Sequence, residues 1–355
     1  MNSRERVLAA LRREPVDRAP VCNPTSVATV ALMDLVDAPF PKAHRVPELM
    51  ARLAATSYTE LGFDTILAYF TTIQQSSALG CKIEWGQKDN WPTAITTEPL
   101  WRHPDQIRIP SNFLAHHDTK CVLEAIKILK KQFDGEVAIL GKTMGPWTLS
   151  YDCFGLENFL LMSADDPEKT AACLDKLKEA TIQFGLAQIE AGADALTLPD
   201  HATGDLVSAG YYDRFLREIH GEFVQRLPVP LILHICGRTL DRMEYIAQTG
   251  VAAFHFDSKN DAADSVRVMR NRVALVGNIN NPDTLYAQGP AEVREEVFRA
   301  LAAGVPLIAP ECAIALRTPI QNLKEIPRAV REWHRTHPSG LRPCGPQMTP
   351  VPAAD

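Results

Sequence analysis

The run Leu231-Ile-Leu-His-Ile-Cys-Gly237 is apolar until it ends with a histidine and a cysteine two residues apart. We interpret residues 230–234 as a buried strand. Along an extended strand, residues i and i+2 point to the same side, so His234 and Cys236 can face one point together. The run therefore predicts an element of a sheet and, at its end, two candidate metal ligands.

Short strand-like runs alternate with longer helical patterns on both sides of this stretch. The predicted strands lie at 19–23, 64–69, 137–140, 194–200, 230–234, 252–257, 273–277 and 305–310. This count and alternation predict a closed parallel (β/α)8 TIM barrel, in which the chemistry lies where the strands reach their carboxyl ends. A doubly wound open sheet is the alternative, which is weakened because no Gly-x-Gly-x-x-Gly turn follows an early strand.

One domain accounts for most of the chain. A single α/β barrel with insertions can reach 355 residues, and we predict such a barrel, with an N-terminal helical extension, over residues 1–335. Residues 70–115 are rich in polar and turn residues and are interpreted as a long excursion that covers the active-site face. Residues 336–355 are rich in proline and glycine, which predicts a flexible C-terminal tail.

The composition narrows the class of protein. Hydrophobic residues make up 46% and charged residues 23% of the chain, as in ordinary globular proteins. A net charge of −6 without a lysine and arginine block argues against a nucleic-acid partner. The N-terminus lacks the apolar core of a signal peptide and no segment reaches membrane-spanning length, so we expect a cytoplasmic protein with no membrane partner.

A third soft ligand follows another predicted strand, because Leu307-Ile-Ala-Pro-Glu-Cys312 is also an apolar run that ends at a cysteine. An isolated His-x-Cys is more often a buried histidine and a core thiol, but a third donor at another strand end reverses that balance. Imidazole and thiolate together select zinc over magnesium or calcium. We therefore predict a catalytic zinc site of His234, Cys236 and Cys312 with one coordination position left open.

The fourth position has several candidates. Water or a carboxylate could hold it at rest, and Asp257, at the next strand end, is the strongest carboxylate candidate for a metal ligand. The alternative role of Asp257 is a hydrogen bond to a ligand residue. Glu311 is a weaker candidate because neighbouring residues on a strand point to opposite faces.

These residues carry a resemblance to a known family. From Glu14-Pro-Val-Asp-Arg-Ala-Pro20 to Thr318-Pro-Ile-Gln-Asn-Leu323, the chain resembles the uroporphyrinogen decarboxylase superfamily, whose members are TIM barrels. The runs that resemble its zinc-dependent methylcobamide:coenzyme M methyltransferase branch are Leu233-His-Ile-Cys-Gly237, Gly277-Asn-Ile279 and Ala309-Pro-Glu-Cys312. The resemblance implies that His234, Cys236 and Cys312 bind zinc.

The chain departs from both branches in identifiable places. The decarboxylase has arginines where this chain has Val21-Cys-Asn-Pro-Thr-Ser26, and its central aspartate would fall near Thr65, one place from Asp64. A slip of one residue on a strand reverses the face of a side chain. The methyltransferases usually have Gly-Cys-Gly where this chain has Glu311-Cys312-Ala313, which leaves the identity of the methyl acceptor open.

The resemblance implies a specific reaction. A small-molecule thiol such as coenzyme M would attack the methyl group of a methylcobamide, with zinc stabilising the thiolate. The corrinoid signature Asp-x-His-x-x-Gly does not occur in the chain, so we expect the cobamide on a separate corrinoid protein. Asp200, His201 and Asn278 are predicted to line the mouth where that cofactor binds, with helix capping and loop hydrogen bonds as their alternative roles.

Other functions stay open from the sequence. A corrinoid-dependent methyltransferase with tetrahydrofolate or homocysteine as acceptor is the nearest alternative. A non-catalytic zinc-binding or cobamide-binding protein is a second alternative, and uroporphyrinogen decarboxylation is the weakest because most of that site is absent.

Overall fold

A sheet of seven parallel strands forms the frame of the computed structural model, which describes residues 1–337. A separate antiparallel hairpin joins β2 and β3, and the other strands pair in the order β1-β4-β5-β6-β7-β8-β9. The strands are β1 (Thr65–Leu67), β2 (Ile83–Glu84), β3 (Thr93–Ala94), β4 (Ala138–Lys142), β5 (Ala195–Pro199), β6 (Leu231–His234), β7 (Ala253–His255), β8 (Ala274–Ile279) and β9 (Leu307–Pro310).

The sheet curls into a barrel because residues 20–22 lie between its two edges. The Cys22 amide donates to the Ile308 carbonyl on β9 at 2.7 Å, and the Asp64 amide, just before β1, donates to the Val21 carbonyl at 2.7 Å. The predicted strand at 19–23 is reduced to a single parallel bridge between Val21 and Ile308. Pro20 has no N–H to donate, which limits the ladder there. The predicted TIM-barrel fold is confirmed, with this bridge in the eighth strand position.

Helices connect the strands. They are α1 (Ser3–Leu11), α2 (Val30–Leu35), α3 (Pro47–Thr59), α4 (Ile73–Leu79), α5 (His117–Phe133), α6 (Pro146–Phe154), α7 (Leu156–Asp165), α8 (Pro167–Ala191), α9 (Ala209–Phe215), α10 (Arg217–Arg226), α11 (Met243–Ile246), α12 (Ala262–Met269), α13 (Pro290–Ala302) and α14 (Ile320–Thr336). The longest of them, α8, begins where the Asp166 side chain accepts from the Lys169 amide at 2.9 Å, and it ends just before Gly192, whose φ is +118°.

The amino end of the barrel is sealed by α1. Val7 and Leu11 of this helix belong to the same buried cluster as Leu140, Ile232 and Leu307, which come from β4, β6 and β9. A second, larger apolar cluster lies between the sheet and the surrounding helices. The opposite end, where the strands reach their carboxyl termini, is therefore the end left for a site.

The excursion over residues 70–115 contains α4 and the β2–β3 hairpin rather than loop alone. Phe70 and Trp91 both pack near Phe40, with ring centroids 5.4 and 5.5 Å from it. His44 stacks on Phe40 at 3.8 Å, so an aromatic cluster anchors the excursion to the segment before α3.

The C-terminal boundary is only partly covered by the structure. Helix α14 ends at Thr336, and the predicted tail at 336–355 lies outside the described residues apart from its first two. The domain boundary after residue 335 stays a prediction. Across residues 1–337 we find no helix with the length and hydropathy that a bilayer crossing requires.

Candidate metal centre

Three predicted donors converge at the carboxyl ends of β6 and β9. His234 is the last residue of β6, while Cys236 and Cys312 each lie two residues beyond the last residue of their strand. Cys236 Sγ lies 2.9 Å from His234 Nε2 and 3.0 Å from Cys312 Sγ, and Cys312 Sγ lies 3.5 Å from His234 Nε2. The side chains brought together are thus those that the spacing predicted.

The imidazole of His234 is held in one orientation. Its Nδ1 lies 3.2 Å from the carbonyl oxygen of His255, so Nδ1–H donates and the lone pair of Nε2 faces the two sulfurs. Burial, followed by the neighbouring His255 and His201, lowers the pKa of His234 well below its usual value. The ring is therefore neutral at neutral pH, as a metal ligand must be.

The two thiols interact closely. The hydrogen bond with Cys312, followed by burial, raises the pKa of Cys236, and the same hydrogen bond is the main cause that lowers the pKa of Cys312. Cys312 is accordingly the sulfur that more readily becomes a thiolate, with the Cys236 S–H donating to it. A metal ion would replace the proton between the two sulfurs.

The donor set fits zinc. Bond lengths of about 2.3 Å to sulfur and about 2.0 Å to nitrogen place donors of a tetrahedral zinc site roughly 3.5 to 3.8 Å apart. The pairs among His234, Cys236 and Cys312 lie 2.9 to 3.5 Å apart, so a small outward movement reaches that spacing. One imidazole and two thiolates are the soft donors that select zinc.

His201 belongs to the same group of donors. Its Nε2 lies 3.8 Å from Cys236 Sγ, and the donor atoms of His201, His234 and Cys236 lie within 4.8 Å of one another. The sequence predicted His201 at the cofactor mouth and not among the metal donors. Burial lowers the pKa of His201, so this ring too is neutral.

The predicted ligand Asp257 lies outside this group. One of its carboxylate oxygens accepts from the Gly237 amide and the other from the Lys259 amide, both at 2.9 Å. The first of these hydrogen bonds holds Gly237, the residue that follows Cys236, in place. The structure gives Asp257 a positioning contact instead of a donor position, and its role as a ligand stays a prediction that these contacts do not favour.

Glu311, which follows β9, has a similar arrangement. Its two carboxylate oxygens accept from the amides of Ser258, at 2.9 Å, and Asn281, at 2.8 Å. Burial is the main cause that raises the pKa of Glu311. The carboxylate therefore joins the loops that follow β7 and β8, next to Cys312.

Two further predicted mouth residues point into the protein. Asp200 is fully buried, and its carboxylate accepts from the Thr148 amide at 2.9 Å and lies 3.0 Å from His220 Nε2. The Asn278 amide group donates to the Asn260 carbonyl at 3.2 Å. Both side chains thus hold loops, the alternative role stated above, and their contact with a cofactor stays a prediction.

A cavity of about 330 Å³ adjoins the donors, and its cationic wall was not predicted from the sequence. Lys142, at the end of β4, is 2% exposed; its Nζ donates to the Thr25 carbonyl at 3.2 Å and lies 4.7 Å from the Tyr69 ring centroid. Burial lowers the pKa of Lys142 to about 7. The other residues around the cavity are mainly aromatic, hydroxyl and proline residues together with the donors: Phe70, Thr71, Thr72, Trp91, Pro92, Pro199, His201, His234, Cys312 and Ala313.

Comparison with known proteins assigns the family. The model of the uroporphyrinogen decarboxylase (URO-D) family matches residues 2–333. The chain belongs to the uroporphyrinogen decarboxylase family. Within the family it is 34% identical over 331 residues to the methylcobamide:CoM methyltransferase MtaA of Methanosarcina barkeri, covering 93% of this chain and 97% of that relative.

Two further comparisons agree. A methylated-thiol–coenzyme M methyltransferase of Methanosarcina mazei is 30% identical, with 94% of this chain and 90% of the relative covered. A solved structure of a methyltransferase from Methanosarcina mazei has 33% identity and a TM-score of 0.91, covering 94% of this chain and 99% of that chain. The predicted resemblance to the methyltransferase branch is confirmed.

The position of Asp64 separates this chain further from the decarboxylase pattern. Asp64 precedes β1, at the amino end of the barrel, and its carboxylate bonds Arg6 at 2.9 Å, Arg18 at 2.7 Å and the Val21 amide at 2.9 Å. It is engaged at the end opposite the thiols.

Proposed function

We propose that this protein is a zinc-dependent methyltransferase that moves a methyl group from a methylated corrinoid protein to a small anionic thiol such as coenzyme M. The observation that carries the proposal is the convergence of His234, Cys236 and Cys312 beside a cavity with a buried lysine. Two relatives support it by name, since both are coenzyme M methyltransferases, one named for methylcobamide and the other for methylated thiols.

The chain supplies a preorganised set of donors for the metal. His234, Cys236 and Cys312 would hold zinc, which when bound would lower the pKa of an acceptor thiol and keep it as a nucleophilic thiolate. The carbonyl of His255 orients His234, and Asp257 fixes the peptide after Cys236. Such contacts reduce the reorganisation that catalysis would otherwise require.

Lys142 favours an anionic acceptor. A buried ammonium with one carbonyl partner has N–H donors left for a ligand, and among residues 1–337 no carboxylate pairs with it. Binding an anion would compensate the charge of Lys142, which burial otherwise disfavours. An acceptor in which a short chain joins the thiol to a sulfonate or carboxylate would place the thiol at the metal donors and the anion beside Lys142.

The size and charge of the cavity argue against the alternative acceptors. A volume of about 330 Å³ lies at the lower end of the range for ligand pockets, which favours a small thiol over tetrahydrofolate. Homocysteine also has a carboxylate, but its ammonium group would lie close to the cationic side chain of Lys142, and like charges repel. The corrinoid protein would approach the carboxyl end of the barrel, since the donors lie there.

The test combines metal content with acceptor specificity in the full-length protein. We expect the wild type to contain one zinc per chain by elemental analysis and to transfer the methyl group of methylcobalamin to mercaptoethanesulfonate. The variants Cys236→Ser and Cys312→Ser should lose zinc and turnover together. Cys81→Ser, which changes a partly exposed cysteine outside the donor group, is the matched control and should retain both.

Three outcomes would overturn the proposal. They are a wild type without zinc, full zinc in both serine variants, and turnover with tetrahydrofolate alone. The last would favour the alternative acceptor while leaving the metal site in place.

A further inference from the structure

The three donors leave one zinc coordination position, and the two nearby carboxylates do not reach it. Both oxygens of Asp257 accept backbone amides at 2.9 Å, from Gly237 and Lys259. Both oxygens of Glu311 likewise accept backbone amides, at 2.8 and 2.9 Å. Moving either carboxylate to a metal would leave one buried and one partly buried backbone N–H without an acceptor, which opposes that movement.

His201 is placed to fill the position instead. Its Nε2 lies 3.8 Å from Cys236 Sγ, close to the spacing of roughly 3.5 Å between nitrogen and sulfur donors of a tetrahedral site. Its ring stands nearly perpendicular to that of His234, at 85°, with the centroids 5.6 Å apart. Two imidazoles thus approach the Cys236 thiol from different directions, and the donor atoms of His201, His234 and Cys236 lie within 4.8 Å of one another. The Cys312 sulfur lies 3.0 Å from that of Cys236.

The backbone of His201 is held by two hydrogen bonds, whereas its ring has a single hydrogen-bond partner. The His201 amide donates to Thr148 Oγ1 at 2.9 Å, and its carbonyl accepts from the Tyr151 hydroxyl at 3.2 Å. Within the described part of the chain, Cys236 Sγ is the one hydrogen-bond partner found for the ring. His234 differs, because its Nδ1–H is held by the His255 carbonyl on the neighbouring strand.

The ring of His201 also borders the space that an acceptor must enter. His201 lines the cavity together with Lys142, His234 and Cys312. It follows β5, in a segment without regular secondary structure up to α9 at Ala209. A rotation about the side-chain bonds of His201 would therefore clear a donor position without movement of a strand.

We propose that His201 is a displaceable fourth zinc ligand, which completes the site when no acceptor is bound and gives up its position to the acceptor thiol. This inference rests on the proposed function. The exchange replaces one nitrogen donor by one sulfur donor, and the proton of the thiol leaves to solvent. The resting site is then closed to water and opens only for a ligand that competes with imidazole, as a thiolate does.

Zinc K-edge X-ray absorption of the full-length zinc protein counts sulfur and imidazole donors directly, without a turnover assay. The wild type should show two sulfurs and two imidazoles alone, and three sulfurs and one imidazole with mercaptoethanesulfonate. His201→Ala should show one imidazole and a light oxygen donor alone, and the same three-sulfur site as the wild type with the thiol. His103→Ala, which changes an exposed histidine, is the matched control. The conservative variant His201→Asn provides a second substitution with a polar side chain at the same position.

The outcomes separate this inference from the proposed function. Zinc bound in the wild type with a single imidazole, or two imidazoles retained in His201→Ala, would overturn the role of His201 alone. Two imidazoles that persist in the wild type after the thiol binds would overturn its displacement. A wild type that binds no zinc would overturn the proposed function and this inference with it.

Discussion

At the scale of single residues, His255 links the two strands that carry the donors. Its backbone carbonyl accepts from His234 Nδ1, and its ring Nε2 lies 2.7 Å from the Pro310 carbonyl, two residues before Cys312. Burial lowers the pKa of His255 to about 4, so its ring stays neutral and Nε2–H donates. One residue of β7 thus positions the candidate ligand His234 on β6 and the segment that leads to the candidate ligand Cys312 after β9.

Lys142→Met tests the anionic acceptor at the residue scale. Loss of a charge-assisted hydrogen bond costs about 1.5–3 kcal/mol, so we expect KM for mercaptoethanesulfonate to rise roughly 10- to 150-fold. Zinc content and kcat should change little, because Lys142 is not among the donors. The neutral thiol 2-mercaptoethanol is the control substrate, and an equal rise in its KM would contradict an anion-binding role.

The same lysine predicts a pH dependence. With a free-enzyme pKa of about 7, Lys142 is protonated below that pH and neutral above it. The inhibition constant of ethanesulfonate, an anion without a thiol, should be constant below about pH 7 and rise about tenfold for each unit above. In Lys142→Met the inhibition constant of ethanesulfonate should be high at every pH. If the variant instead shows the same pH dependence as the wild type, another group is responsible for the titration.

At the scale of elements, the loops at the carboxyl end of the barrel are joined by carboxylates. Glu311, after β9, accepts from amides in the loops that follow β7 and β8, while Asp257, after β7, accepts from the loop that follows β6. Four consecutive strand ends are therefore connected around the donors. The Glu-Cys-Ala sequence in place of Gly-Cys-Gly supplies one of these connections.

Glu311→Gln tests that connection. The side-chain amide of the glutamine would point one of its N–H groups at a backbone N–H that now has no acceptor. We therefore expect a loss of about 2–3 kcal/mol in the free energy of unfolding. Urea denaturation measures it, with Glu157→Gln, at an exposed position of α7, as a control that should stay within about 0.5 kcal/mol. A loss no larger than that of the control would show that the loops do not depend on Glu311.

At the scale of the whole molecule, the two ends of the barrel have separate roles. The amino end is closed by α1 and by the ion pairs of Asp64 with Arg6 and Arg18, whereas the donors lie at the carboxyl end. Asp64 also accepts from the Val21 amide and so holds the segment that closes the barrel. Stability and chemistry can therefore be changed independently.

Asp64→Asn tests this separation. The substitution leaves the largely buried Arg18 without its carboxylate and Arg6 with Asp17 as its remaining partner, and we expect it to destabilise the protein by about 3–5 kcal/mol. At a temperature where the variant is folded, zinc content and KM should match the wild type. The exposed Asp165→Asn is the control for the loss of one charge. A fall in kcat without a fall in stability would instead support a catalytic role for Asp64, as in a decarboxylase.

Much of the candidate site could be predicted from local sequence. The i, i+2 spacing on a strand places His234 and Cys236 together, and both strands that precede the thiols are apolar runs that end at the same edge of the barrel. The carboxylates were harder to place, because whether a buried Asp257 faces a metal or a backbone amide depends on the loop that packs against it.

The sequence by itself determined the fold class, since strand and helix periodicity are local properties, and its resemblance to known proteins indicated the family. It also singled out His234, Cys236 and Cys312 as candidate metal donors, because the chemistry of imidazole and thiol is local too. Only the tertiary structure decided what surrounds them. It brought His201 from the end of β5 to within 3.8 Å of Cys236, and it buried Lys142 in the cavity wall. These contacts join residues that are far apart in the chain, and they depend on side-chain directions that only the packed barrel fixes.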